Sequence, residues 1–281
     1  MKFLTVLAAV LAAYTFALMS ACTPQPPAPS TNTATVTATA TQTVTAIQSS
    51  TATSTAHAPR IPFLESTCPS RGVYKAIDMA VPGDQKFFDT MKYLGVETII
   101  RYYDWPGQES LRGKIPLAAE LAAIKKNGFN FMGVFQHYNS SFSTFTASRG
   151  KIDAGKVLGL ASQWKQPKGS AVYFGVDGDF YTTAQKAKVR EYFTAAAPLI
   201  RAAGFRVGMY GSGANCESLR EAKLIDDGLC WIAGSSGWSR TKEVLASGKY
   251  ALKQKVNQFC GGKSLDFNTV NKSDFGQWKL P

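Results

Sequence analysis

At 281 residues, 45% of them hydrophobic, the chain is long enough to bury a sizeable core. Its 31 Lys and Arg against 19 Asp and Glu give a net charge of +12; with no basic cluster interleaved with aromatics, this points to anionic envelope polymers or lipid headgroups and argues against nucleic acid. With only two histidines, His57 and His137, and no Cys-x-x-Cys, little is present to build a zinc site or a Ser-His-Asp triad, so no metal and no organic cofactor are predicted.

The chain opens on Lys2 and an apolar run from Phe3 to Met19 that ends in Leu18-Met19-Ser20-Ala21-Cys22. This has the form of an export signal over 1–21, and it resembles a bacterial lipoprotein signal in which Cys22 is lipidated. An ordinary secretory signal cleaved after Ala21 is the alternative. Residues 22–66 follow as a tether rich in Thr, Ala, Ser and Pro that cannot bury a core. Export would place the protein, held to a membrane through Cys22, toward the periplasm or cell exterior. Four further cysteines, Cys68, Cys216, Cys230 and Cys260, then allow up to two disulfides in any of three pairings.

Residues 67–281 read as one domain of alternating strands and helices. Strand signals fall at 73–78, 97–102, 129–136, 171–177, 206–210, 229–233, 251–259 and 264–267. Helix signals fall at 85–94, 118–127, 154–164, 183–203 and 218–225. The pattern predicts an α/β fold, a TIM-like (β/α)8 barrel irregular in its C-terminal part, with a doubly wound sheet as the alternative.

In a barrel, chemistry gathers at the C-terminal ends of the strands. Asp78, Arg101, Gln136, Asp177, Asp179, Tyr210, Gln258 and Asp266 all fall at or near predicted strand ends. The segment Val172 to Phe180 stands out, because an apolar strand runs into Asp177 and Asp179, spaced two apart and so expected on one side. Two neighbouring carboxylates at a buried strand end repel one another, which is a source of general acid/base chemistry; an Asp-Gly-Asp turn is the structural alternative. Trp231 and Trp238 could stack on sugars or serve as core aromatics, and His137 could line the rim.

These residues are embedded in a longer pattern: Ala76-Ile77-Asp78, Ile100-Arg101-Tyr102, Gly133-Val134-Phe135-Gln136, Gly150-x-x-Asp153-Ala154, Val172 through Asp177-x-Asp179, Gly204 through Gly211, and Leu265-Asp266-Phe267-Asn268. In that order the stretch from Gly72 to Trp278 resembles a bacterial glycoside hydrolase-like domain, domain of unknown function 1906, related to the family 25 lysozymes. The resemblance implies a TIM-like barrel acting on, or descended from enzymes acting on, β-1,4 glycosidic bonds of peptidoglycan. It assigns catalytic roles to Asp78, Asp177 and Asp179, and leaves Arg101, Gln136, Tyr210, Trp231, Gln258 and Asp266 to hold substrate. Family 25 lysozymes carry Glu as general acid where this chain has Asp179. A muramidase-like hydrolase, a non-catalytic glycan-binding lipoprotein and a purely structural envelope protein are the three functions compatible with this sequence.

Overall fold

The computed structural model describes residues 64–281; the signal, Cys22, His57 and nearly all of the tether lie outside the described residues. Eight strands close into a barrel in chain order: β1 (Ala76–Asp78), β2 (Thr98–Tyr103), β3 (Asn130–Phe135), β4 (Ala171–Gly175), β5 (Arg206–Gly211), β6 (Cys230–Ile232), β7 (Leu252–Cys260) and β8 (Lys263–Val270). Six α-helices fill the intervals: α1 (Gln85–Leu94), α2 (Ala118–Lys126), α3 (Ala147–Gln163), α4 (Thr183–Ala202), α5 (Gly213–Glu221) and α6 (Thr241–Ser247). The barrel predicted from the alternation is the fold observed. No helix among the described residues is long and apolar enough to cross a membrane.

The predicted C-terminal irregularity is one reversed strand. β1 through β7 run parallel, whereas β8 is antiparallel to both β7 and β1. The cause is local: Gly261 and Gly262 both adopt positive φ, 64° and 75°, which is the requirement of a tight two-residue hairpin and leaves no room for a crossover helix. A second difference is that α3 begins at Ala147 and α5 at Gly213, earlier than predicted, because Thr146 and Ser212 cap their first turns. α6 has only seven residues and is the helix that the sequence pattern did not show.

Strand alternation divides the barrel into an outer and an inner set. Outward residues such as Ile77, Ile99, Phe131, Phe174 and Met209 join the helices in the large core. Inward residues Ala76, Ile100, Met132, Tyr173, Trp231 and Leu252 fill the lower barrel, with Phe275 beneath them. Tyr173 occupies the axis because Gly208 opposite has no Cβ; one there would come within 2.6 Å of the Tyr173 ring. The floor is therefore packed and apolar, and open space begins only above it.

Two disulfides form, Cys68–Cys260 and Cys216–Cys230, the second closing a 14-residue separation between α5 and β6. The first ties the N-terminal segment to the β7–β8 hairpin across 192 residues. Glu65, which the sequence assigns to the tether, takes part in the same junction by accepting the backbone N–H groups of Gly261 and Gly262 at 2.8 and 2.9 Å.

Candidate active site

Above the apolar floor, most of the inward-facing positions toward or just past the strand ends are polar or aromatic. Asp78, Tyr102, Gln136, Asp177, Tyr210, Trp231, Gln254 and Asp266 line one open cavity of about 320 Å³ at the C-terminal face of the parallel strands. Asp266 reaches this face from early in β8, since that strand runs the opposite way and sets Asp266 directly across from Asp78 in the register.

Asp78 is 2% exposed and sits among donors. Asn268 Nδ2 donates to it at 2.8 Å, Tyr102 Oη at 3.2 Å, and Gln254 Nε2 reaches both oxygens at 3.1 and 3.2 Å. The same Gln254 amide donates to Asp266 Oδ2 at 3.0 Å, so one NH2 group bridges two carboxyls. Its carbonyl is engaged as well, accepting Tyr210 Oη at 2.8 Å and the Gly234 N–H at 3.3 Å, which fixes the amide's orientation. Burial, reinforced by the facing Asp266, pushes the Asp78 carboxyl up to about 7 despite those donors. Burial also raises Asp266, against a lowering contribution from the Asn257 N–H. The two form a coupled pair that holds a proton at pH values where an exposed Asp has lost it.

This has a consequence for stability. A carboxyl raised in the folded state binds its proton more tightly there than in the unfolded chain, so its contribution is present below about pH 4 and is lost as pH rises through 7. Asp177 and Asp153, both raised mainly by burial, act in the same direction. Asp84 and Asp274, held low by Lys263 and Arg206, lose their contributions only in stronger acid. Urea unfolding should therefore show stability falling by on the order of a few kcal/mol between pH 5 and pH 8. Asp266→Asn, which removes the like charge, should flatten that slope; an equally steep slope in the variant would contradict the coupling.

Asp177 stands apart from this pair. Gln136 Nε2 donates to it at 2.8 Å, and burial raises it while Gln136 and Lys114 pull it down. Lys114 is 3% exposed. Its ammonium donates to the Gln136 carbonyl at 2.7 Å and to Ser110 Oγ at 2.9 Å, and lies 4.8 Å from the Tyr102 ring centroid. Burial brings it down to about 8 against the opposing pull of Asp104 and Asp177. Lys114→Met should remove a charge that favours the Asp177 carboxylate, so any activity requiring that carboxylate should show its acid limb displaced to higher pH. An unmoved limb in a folded variant would show that Lys114 does not act on Asp177.

The structure thus brings together Asp78, Gln136, Asp177, Tyr210, Trp231 and Asp266. Trp231, however, is 1% exposed, wedged against Tyr210 and Tyr173 with its indole N–H on Asn268 at 2.7 Å. It builds the floor and has no free face for stacking on a sugar. Three other assigned residues lie outside the cavity. Asp179 does not share a side with Asp177, because β4 ends at Gly175 and alternation no longer governs the turn that follows. Its carboxylate is turned to the loop after β6, where it accepts the Ser239 N–H at 3.0 Å on each oxygen and Ser239 Oγ at 2.8 Å. Both donors of Ser239, its N–H and its hydroxyl, hold this carboxylate away from the cavity.

Arg101 alternates with the inward Ile100 and Tyr102 and so points outward, fully buried. It grips Glu120 through two bonds of 2.9 and 3.1 Å and also donates to the carbonyls of Met79 and Gly113. Gln258 is displaced by a register shift between Lys255 and Gln258, where Asn257 takes φ 60°; its amide folds back on the Val256 carbonyl. Gln254 occupies the place assigned to it. His137 is likewise off the cavity, its ring stacked 4.4 Å from Trp105 and its Nδ1 facing Asp104. Trp238 does not line the cavity either.

Comparison with known proteins agrees with this architecture. The family model for the Rv2525c-like, glycoside hydrolase-like domain matches residues 89–274. A curated relative, the uncharacterized protein FadG of Bacillus subtilis, is 21% identical over 199 residues, covering 65% of this chain; the chain spans about a third (34%) of that protein's length. The Tat-secreted protein Rv2525c of Mycobacterium tuberculosis, in crystals with HEPES, superposes with a TM-score of 0.57 at 19% identity, over 73% of this chain and 99% of that one. An uncharacterized B. stearothermophilus protein gives 0.52 at 14% identity, covering 71% and 98%. With a family model spanning most of the barrel, from α1 to beyond β8, the chain belongs to the Rv2525c-like glycoside hydrolase-like family.

Proposed function

We propose that this protein is an exported lipoprotein, anchored through Cys22, whose barrel domain, placed by the sequence at 67–281, binds and hydrolyses β-1,4 glycosidic bonds of cell-wall peptidoglycan. The observation that carries the reading is the pair of buried Asp78 and half-buried Asp266 bridged by one Gln254 amide, facing the same open cavity as Asp177. Glycoside hydrolysis needs one carboxyl that still holds a proton at neutral pH and a second that is ionised. The pair answers the first need. Asp177 is assigned to the second: burial raises it, but the Gln136 amide and the Lys114 ammonium both draw it toward its charged form.

In this scheme the pair gives its proton to the leaving glycosidic oxygen as the bond from that oxygen to C1 breaks. Asp177 stabilises the positive charge developing at C1 and takes a proton from the water that forms the new C1–OH bond. Exchange with solvent restores both groups. Tyr210, Gln136 and Tyr102 supply hydrogen bonds that position the sugar. Two disulfides and the secretion of the similar M. tuberculosis protein support an exported setting.

Binding without hydrolysis is the second reading, favoured by one observation: Asp179, at the position of the family 25 lysozyme acid, is occupied by Ser239. Product analysis separates the two. The purified protein incubated with peptidoglycan should release fragments carrying new reducing ends, detected by borohydride reduction and mass spectrometry. Saturable binding with no reducing ends would establish the second reading; neither binding nor turnover would refute both.

A further inference from the structure

The Asp78–Asp266 pair has open space on two sides. Beyond the cavity already described lies a second one, of about 390 Å³, that shares Asp78, Tyr102, Asn257 and Asp266 with the first. The carboxyl pair is therefore a partition within a longer cleft, not the end wall of a pocket. The far wall is of different character. Met79, Leu265 and Phe259 face the second cavity, and Phe259 is 49% exposed on a strand whose other exposed positions are Lys253, Lys255 and Asn257. Packing of the core does not explain that ring.

The backbone that carries Phe259 is held unusually firmly for a hairpin tip. Cys260, its neighbour, is bonded to Cys68; Thr67 Oγ1 donates to the Phe259 carbonyl; and Glu65 accepts the N–H groups of Gly261 and Gly262. An aromatic face presented to solvent from a pinned backbone is preorganised for a ligand with an apolar face, because little conformational freedom is lost on binding. A pyranose ring has such a face, with its hydroxyls at the rim for Asn257 and Ser264.

We infer that the cleft continues across the Asp78–Asp266 partition into a second glycan subsite, in which Phe259 is the stacking platform for the neighbouring pyranose of the same chain. The protein then takes an oligosaccharide across the carboxyl pair, with units on both sides. This rests on the glycan reading of the first cavity.

Calorimetric titration of the full protein with the N-acetylglucosamine monosaccharide and with its thio-linked, non-hydrolysable β-1,4 tetrasaccharide tests it. The tetrasaccharide should bind about tenfold more tightly than the monosaccharide, the scale of one aromatic contact. Phe259→Ala should bring the tetrasaccharide to the monosaccharide's affinity without changing the latter, and Phe259→Tyr should retain the difference. The double variant Cys68→Ser, Cys260→Ser should lose part of the same difference. Equal affinities for the two ligands in the wild type, or an equal loss for both in Phe259→Ala, would overturn the second subsite while leaving the first cavity as a glycan site. If neither ligand binds the wild type, the glycan reading itself falls, and this inference with it.

Discussion

Replacing Asp78 by Asn is expected to lower reducing-end release from peptidoglycan by about 10²-fold or more, the loss typical of removing a positioned general acid. The variant keeps the side chain's shape but removes the raised carboxyl, since an amide has no acidic proton to deliver. Its amide also meets Gln254 and Asn268, both of which donate to Asp78 in the wild type, so one donor must turn away. Unfolding should be measured alongside activity for that reason. Asp179→Asn is the matching control: its carboxylate serves Ser239, so its loss should cost stability and leave most of the turnover. The reverse ranking, with Asp179→Asn inactive and Asp78→Asn active, would return the acid to the position occupied by Glu in family 25 lysozymes.

The largest stability effect is expected at Arg101. Arg101→Ala removes the partner of Glu120, which is left buried with only the Gly83 N–H at 3.1 Å, and strands the Gly113 and Met79 carbonyls. Breaking a buried ion pair from one side costs about 3–5 kcal/mol. Arg101→Lys should recover only part of this, because an ammonium cannot make the two-pronged contact with Glu120. Urea unfolding measures both. Since Arg101 faces away from the cavity, whatever fraction remains folded should show an unchanged KM. A raised KM with full stability would place Arg101 in substrate binding, as its strand position first suggested.

That reversal shows where the sequence was legible. The barrel, and the convergence of Asp78, Gln136, Asp177, Tyr210 and Asp266 on one face, followed from strand spacing, because alternation and the parallel order leave few topologies. Which neighbour faces inward was harder. In β2, Ile99 and Ile100 are both apolar because both faces of the strand are buried, so polarity alone does not separate Arg101 from Tyr102. The register that pairs Asp78 with Ile100 does separate them, and it assigns Tyr102 to the cavity.

Other differences arose where regular structure ends. Gln254 and Gln258 have the same parity in an ideal strand; a bulge between them, invisible in composition, sends only Gln254 to the carboxyls. Strand periodicity does not extend from Asp177 to Asp179, because β4 ends at Gly175, before either of them. The reversed β8 was readable, because Gly261-Gly262 between two strand signals is a hairpin signature. Lys114 lies in the loop before α2 with no motif around it, and nothing in the sequence marks it as buried beside Asp177.

The most direct test is a crystal structure of the protein with the thio-linked tetrasaccharide. The sugar chain should lie in the cleft, one unit within hydrogen-bonding distance of Asp78, Asp177 or Tyr210, and the next across the carboxyl pair on the Phe259 side. A saturating ligand seated elsewhere on the barrel, with the Asp78–Asp266 cleft unoccupied, would contradict the account.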